Sequence, residues 1–71
     1  MTEEQIRTAV GRLVSLAHAT EQEADILLAG TSTDANLRRD LSNFRYGQAI
    51  GLRQAAEMLA AELPMPKEAL A

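Results

Sequence analysis

One histidine and two carboxylates stand at spacings that suit a single metal ion. His18, Glu21 and Asp25 are three and four residues apart, which places them on one face of a helix. Metal-binding helical bundles use Glu-x-x-His motifs on two helices together with further inward acids. Here the order is reversed, and the acids of the second half, Glu57 and Glu62, lie at its far end. We therefore interpret this trio as a solvated helix face with salt bridges to the paired helix, and we predict no metal site and no cofactor.

The residues needed for covalent or phosphate chemistry are missing. The chain has no cysteine and a single histidine. Gly47 and Gly51 stand inside a helical pattern and not after a strand, where phosphate-binding glycines occur. Seven basic residues against ten acidic ones give a net charge of −3, so the chain has no overall field that attracts phosphates. We predict that the protein is not an enzyme, and we rank nucleic acid low among its partners.

A tyrosine beside guanidinium groups indicates binding chemistry. An aromatic plate next to arginines can stack a base and hold a phosphate, or it can anchor a protein interface. Three interpretations stay open: a second packing face of an oligomer, a docking surface for a protein partner, or a site for a small anionic ligand. Helical spacing gathers the cluster on one side of the second helix, away from that helix's leucine seam, and its members are Arg39, Ser42, Tyr46, Ile50 and Arg53.

Two helices must position these side chains. Steps of three and four predict an apolar seam in the first half of the chain, at Ile6, Val10, Leu13, Ala17, Thr20, Ala24 and Leu27. A second seam, which Gln48 interrupts, runs through Leu37, Leu41, Phe44, Leu52, Ala55, Leu59 and Leu63, with Ala49 and Ala56 beside it. The predicted fold is all-α, an antiparallel two-helix hairpin over 1–63, with helix 1 at about 3–29, a turn at 30–33 and helix 2 at about 34–63.

Local signals predict how the helices begin and end. Thr2 and Gln5 fit a capping box, and Gly30 suits a left-handed residue after the first helix. Asp34 and the hydroxyl residues before it offer N-caps for the second helix. Pro64 stops that helix, which leaves a short Pro-containing tail at 64–71.

Charge placement supports the antiparallel pairing. Acidic groups gather near the end of the first helix, and arginines gather near the start of the second. Folding the chain back at 31–32 sets the two groups beside each other; they are Glu21, Glu23 and Asp25 on one side and Arg38, Arg39 and Arg45 on the other.

A stripe of small residues suggests self-association. Gly47, Gly51 and Ala55 are four apart, and glycine inside a helix costs roughly 1 kcal/mol relative to alanine. A backbone that approaches closely would offset this cost, and two candidates stay open: helix 1 of the same chain, opposite Arg12 and Leu16, or a helix of a second copy. Because both helices have wide apolar faces, we predict a homo-oligomer, most simply a four-helix bundle formed by two copies.

The segment Tyr46 to Arg53 resembles the second helix of small phage helical-hairpin sponges. These anti-CBASS proteins sequester cyclic oligonucleotide signals, assemble as oligomers and bind their ligand between protomers. The resemblance rests on the hairpin topology, on the mid-helix Gly47 and on Arg53 six residues later. It implies that Arg53 contacts phosphate and that Tyr46 contacts a base. The aromatic residue that such sponges carry early in the chain has no counterpart before Phe44.

The leading functional hypothesis is a non-enzymatic regulatory or inhibitory protein, bacterial or phage in origin, which oligomerises and docks on a protein partner through helix 2. The alternative is a sponge for a small anionic, cyclic nucleotide signal at a protomer interface. The acidic start of the chain and the lack of any run of about 20 apolar residues predict a soluble cytoplasmic protein without membrane contact.

Overall fold

Two long helices form the structure, a computed structural model that describes residues 1–31 and 34–64. Helix α1 is Glu3–Ala29 and helix α2 is Ala35–Ala60. Residues late in α1 contact residues early in α2, and earlier α1 residues contact later α2 residues, so the two helices are antiparallel. The predicted all-α hairpin is confirmed.

Each helix begins with a side-chain cap. At α1, the backbone N–H of Gln5 donates to Thr2 Oγ1 at 3.1 Å, and the N–H of Thr2 donates to Gln5 Oε1 at 2.9 Å, which completes the predicted capping box. At α2, the N–H of Asn36 donates to the carboxylate of Asp34 at 2.8 Å. These bonds satisfy donors that a helix start leaves without an intrahelical partner.

The end of α1 differs from the prediction. Gly30 follows the helix with φ −69° and ψ 156°, which is extended, and no described residue has a positive φ. The left-handed assignment of Gly30 was therefore wrong. The physical reason is Arg38 of α2, whose guanidinium donates to the carbonyls of Gly30 and Leu27. The carbonyl of Leu27, in the last turn of α1, thus receives a donor from the second helix and not from a left-handed turn.

Helix α2 ends three residues before the predicted limit of 63. The N–H groups of Glu62 and Leu63 donate to carbonyls three residues back, at 3.1 and 3.0 Å, which is the tighter 3₁₀ pattern. Pro64 follows directly and disfavours helical geometry in the residue before it. Positions 32–33 of the predicted turn and 65–71 of the predicted tail lie outside the described residues.

The interface between the helices is built from small side chains. On α1 the predicted seam is confirmed, because Ile6, Ala17, Thr20 and Ala24 are buried and Val10, Leu13 and Leu27 are half-buried. On α2 the buried residues are Ser42, Ala49 and Ala56, spaced by seven. The leucine seam of α2 is therefore not the surface that packs on α1. Small residues let helix backbones approach closely, which larger side chains at these positions would prevent.

The hairpin is flat. The Cα positions extend over 51 × 26 × 13 Å, so the molecule has two broad faces separated by a thickness of about one helix. Neither described helix is long and apolar enough to cross a bilayer. Side chains that point away from the contact between the helices lie on one or other broad face.

Candidate interaction surface

The predicted cluster on α2 lies against α1. Ser42 is fully buried, and its Oγ donates to the carbonyl oxygen of Ala24 at 2.9 Å. The prediction placed Ser42 on a surface for a ligand or partner; the structure places it in the helix–helix contact instead. Its small volume and its bond to a main-chain carbonyl explain why a polar residue occupies that position.

Two further members of the cluster bind acidic groups of α1. Arg53 Nε donates to Glu21 Oε1 at 2.8 Å, and the Tyr46 hydroxyl donates to Asp25. The bond from Arg53 lowers the pKa of Glu21 below 4.5, and the bond to Asp25 raises the pKa of Tyr46 above 10.0. Both side chains are therefore engaged within the hairpin, where they fix how the helices sit against each other.

The remaining two members are exposed. Ile50 is 58% accessible and Arg39 is also exposed, while Ser42, Tyr46 and Arg53 turn toward α1. The structure thus divides the predicted cluster and does not assemble one surface from all five residues. The cause is that α1 packs on the row of small residues, which lies roughly 100° around α2 from the side that the leucine spacing suggested.

The small-residue stripe is open. A Cβ atom built on Gly47 or Gly51 would meet nothing within 4 Å, and Ala55 is exposed. The alternative in which α1 of the same chain packs on this stripe, opposite Arg12 and Leu16, is therefore wrong. Close approach by a second copy stays a prediction.

The large apolar side chains of α2 are left uncovered by α1. Leu37, Leu41 and Phe44 are 52%, 44% and 62% accessible, and Leu52 and Leu59 are half-buried. At 100° per residue, they share an arc of about 100° with three smaller residues. We call this surface the leucine face; it comprises Leu37, Leu41, Phe44, Gln48, Gly51, Leu52, Ala55 and Leu59.

A shallow groove forms part of the leucine face. It has a volume of about 490 Å³, and it runs between the helices, with Leu16 and Thr20 on the α1 side and Gly51, Leu52 and Ala55 on the α2 side. Arg45 and Gln48 of α2 also line the groove, and Arg45 donates to Gln48 Oε1 at 3.0 Å. Most of the lining is apolar, so the groove suits an apolar side chain better than a charged ligand.

The acidic trio on α1 is divided among different partners. Glu21 binds Arg53, Asp25 binds Tyr46, and His18 lies 3.3 Å from the side chain of Gln22. In the part of the chain that the structure describes, no group of three or more metal-binding side chains is placed to hold an ion. Glu21 thus forms a salt bridge to the paired helix, as predicted, and Asp25 accepts a hydrogen bond from it.

The ion pairs between the helices differ in part from the predicted ones. Arg45 lies 3.5 Å from Glu23, as the charge pattern predicts, whereas Glu21 pairs with Arg53. Arg38 contacts the carbonyls at the end of α1. A signal for the true interface exists in the sequence: small residues at 42, 49 and 56 repeat every seven positions, the period of a helix seam. The spacing of the larger leucines nearby predicted a different contact surface.

Comparisons of the chain with protein-family models, with curated proteins and with solved structures each gave no match.

Proposed function

We propose that this protein is a non-enzymatic, regulatory or inhibitory interaction protein that binds another protein surface through the leucine face of α2. One observation supports this most directly. Leu37, Leu41 and Phe44 remain about half-exposed because small residues fill the contact with α1. Contiguous exposed apolar surface on a small chain is typical of protein interaction sites.

The composition of the leucine face fits this role. Its α2 positions carry no charged residue, which matches the depletion of charge at the centre of protein interfaces. Phe44 is the most exposed of its large side chains and offers an aromatic anchor for a pocket or groove on the partner. Helix-in-groove recognition uses anchors at such spacings of three, four and seven residues.

The nucleotide-sponge alternative depends on Arg53 and Tyr46. Both contact carboxylates of α1, so a phosphate at Arg53 would have to displace Glu21 from its 2.8 Å ion pair. The leucine face offers no comparable cost to an apolar partner. Protein binding is therefore the function that we propose.

Affinity capture from cells that make the protein tests the proposal. Phe44→Ser removes the central anchor, and Ile50→Ser is the matched control, because Ile50 is similarly exposed on the other side of α2. We expect one defined protein to be recovered in stoichiometric amount with the wild type and with the control, and to be lost with Phe44→Ser. Equal recovery with all three chains would contradict the proposal.

A further inference from the structure

Seven of the eight positions of the leucine face are spaced symmetrically about Gln48, and Gly51 is the exception. Measured from Gln48, Leu41 and Ala55 are seven residues away in opposite directions, and Phe44 and Leu52 are four residues away. Leu37 and Leu59 are eleven residues away. A twofold axis through Gln48 would therefore bring these seven positions onto one another, so that the same patch of each copy forms both sides of an interface between antiparallel helices.

From this we infer that the occupant of the leucine face is a second copy of the chain, with the two α2 helices antiparallel and related by a twofold axis at Gln48. The inference rests on the proposed function and names the protein surface that the leucine face binds as the same face of a second copy, so the protein recovered by affinity capture would be another copy of the chain. Position 41 then faces position 55 of the second copy, and position 44 faces position 52.

The sizes of the facing residues are complementary in this register. The bulky half of the face, Leu37 to Phe44, meets the half that contains Gly51 and Ala55. Phe44 of one copy faces Leu52 of the other and enters its 490 Å³ groove, where a Cβ built on the neighbouring Gly51 would meet nothing within 4 Å. A cavity of roughly 150 Å³ already accommodates a benzene ring. The groove thus has room for the phenyl group.

The polar residues also tolerate this pairing. Gln48 meets Gln48 of the second copy, and a carboxamide carries both donors and an acceptor, so the two can bond reciprocally. A single polar residue in an apolar seam is known to fix register. Arg45 faces Gly51 of the second copy, which keeps the two arginines from meeting head on.

The available area is sufficient for a stable dimer. The leucine face and its groove lie on a broad face of a hairpin that measures 51 × 26 Å. A standard stable interface buries about 800 Å² per partner, which is less than one broad face offers. The hairpin contact itself buries mainly alanine, serine and threonine, and small chains without staples gain stability by associating.

Sedimentation equilibrium of the purified full chain tests the stoichiometry. We expect the wild type to form a dimer, and Phe44→Ala to raise the dissociation constant by about a thousandfold, because a twofold interface loses the anchor twice. Ile50→Ala is the matched control and should keep the wild-type constant. Circular dichroism must show that all three chains are helical. A helical wild type that stays monomeric to millimolar concentration overturns the inference.

Two complementary variants test the register. Leu41→Lys and Ala55→Glu should each abolish the dimer alone, since each places two unpaired charges in the apolar seam. Mixed in equal amounts, they should restore it, because the lysine introduced at position 41 of one chain would face the glutamate introduced at position 55 of the other. Parallel pairing would set 41 against 41 and give no recovery. Two helical variants that fail to combine would overturn the antiparallel register.

Cross-linking gives an independent measurement on the whole chain, which has no cysteine of its own. A short thiol cross-linker should join Gln48→Cys chains efficiently and Ile50→Cys chains poorly, since only position 48 lies on the proposed axis. Equal yields would contradict the arrangement. If the wild type is monomeric while protein capture still depends on Phe44, self-pairing is wrong and the proposed function stands; if capture is also independent of Phe44, both fail.

Discussion

The two sides of α2 carry opposite kinds of residue. The side against α1 carries Ser42, Ala49 and Ala56, all buried, whereas the leucine face carries large apolar side chains that stay about half-exposed. The largest apolar side chains therefore do not decide which side of a helix meets its neighbour in the same chain. Small side chains that allow close backbone approach do, together with the polar contacts that flank them.

The polar contacts explain why the side of α2 with the small residues is the one that packs on α1. Ser42, Tyr46 and Arg53 each bond to α1, and they lie on or beside the row of small residues. Turning α2 so that its leucines met α1 would break these three bonds and leave the hydroxyl of Ser42 outside the contact. The hairpin thus combines close packing with specific polar pairs, and the large apolar side chains of the leucine face remain on its surface.

A larger side chain on the side of α2 that packs on α1 should lower the free energy of unfolding the most. Ala49→Leu inserts a bulky side chain where Ala49 is almost fully buried, and overpacking of this kind typically costs about 1–3 kcal/mol. Urea denaturation at a protein concentration that keeps the chain monomeric would measure the loss of unfolding free energy. Leu41→Ser, on the leucine face, is the control. A loss as large for Leu41→Ser as for Ala49→Leu would remove the distinction between the two sides.

Replacing an exposed helical glycine with alanine should change the free energy of unfolding less, and in the opposite direction. A Cβ atom on Gly47 meets nothing within 4 Å, and alanine is favoured over glycine inside a helix by about 0.5–1 kcal/mol. Gly47→Ala should therefore raise the free energy of unfolding by that amount, measured by the same denaturation. A destabilised variant would mean that another backbone occupies the space beside Gly47.

The ion pair between Glu21 and Arg53 should make a weaker, pH-dependent contribution to stability. Because the folded-state pKa of Glu21 is lowered from 4.5 by Arg53, its contribution to stability is present above pH 4.5 and is lost as the pH falls through the lowered pKa. Glu21→Gln should make thermal stability less sensitive to acid, and Arg53→Gln should do the same because it removes the donor. Unchanged acid sensitivity in both variants would show that the pair contributes nothing.

Cyclic oligonucleotides should have no effect on the melting temperature. Arg53 and Tyr46 already contact Glu21 and Asp25, so they do not form a preformed phosphate and base site. A ligand that binds the folded state stabilises it according to its concentration relative to Kd. A concentration-dependent rise that disappears in Arg53→Ala would instead favour the sponge.

The helices were predictable because their signals are local. The Thr2–Gln5 capping box, the Asp34 cap and the seam of α1 all depend on residues within one or two helical turns. The orientation of α2 was not predictable from apolar spacing, because its largest apolar residues face away from α1. Gly30 was misassigned for a related reason: Arg38, which donates to the carbonyls of Leu27 and of Gly30 itself, belongs to the other helix.

The guanidinium of Arg38 couples the ends of the two helices. It completes the last turn of α1 from the first turn of α2, across only eight residues of chain from Gly30 to Arg38. Loops of about ten residues close within roughly 10–100 ns, so this contact can form among the earliest events of folding. A peptide that stops before Arg38 should fray at its carboxyl end, because the donor that caps the end of α1 lies in α2.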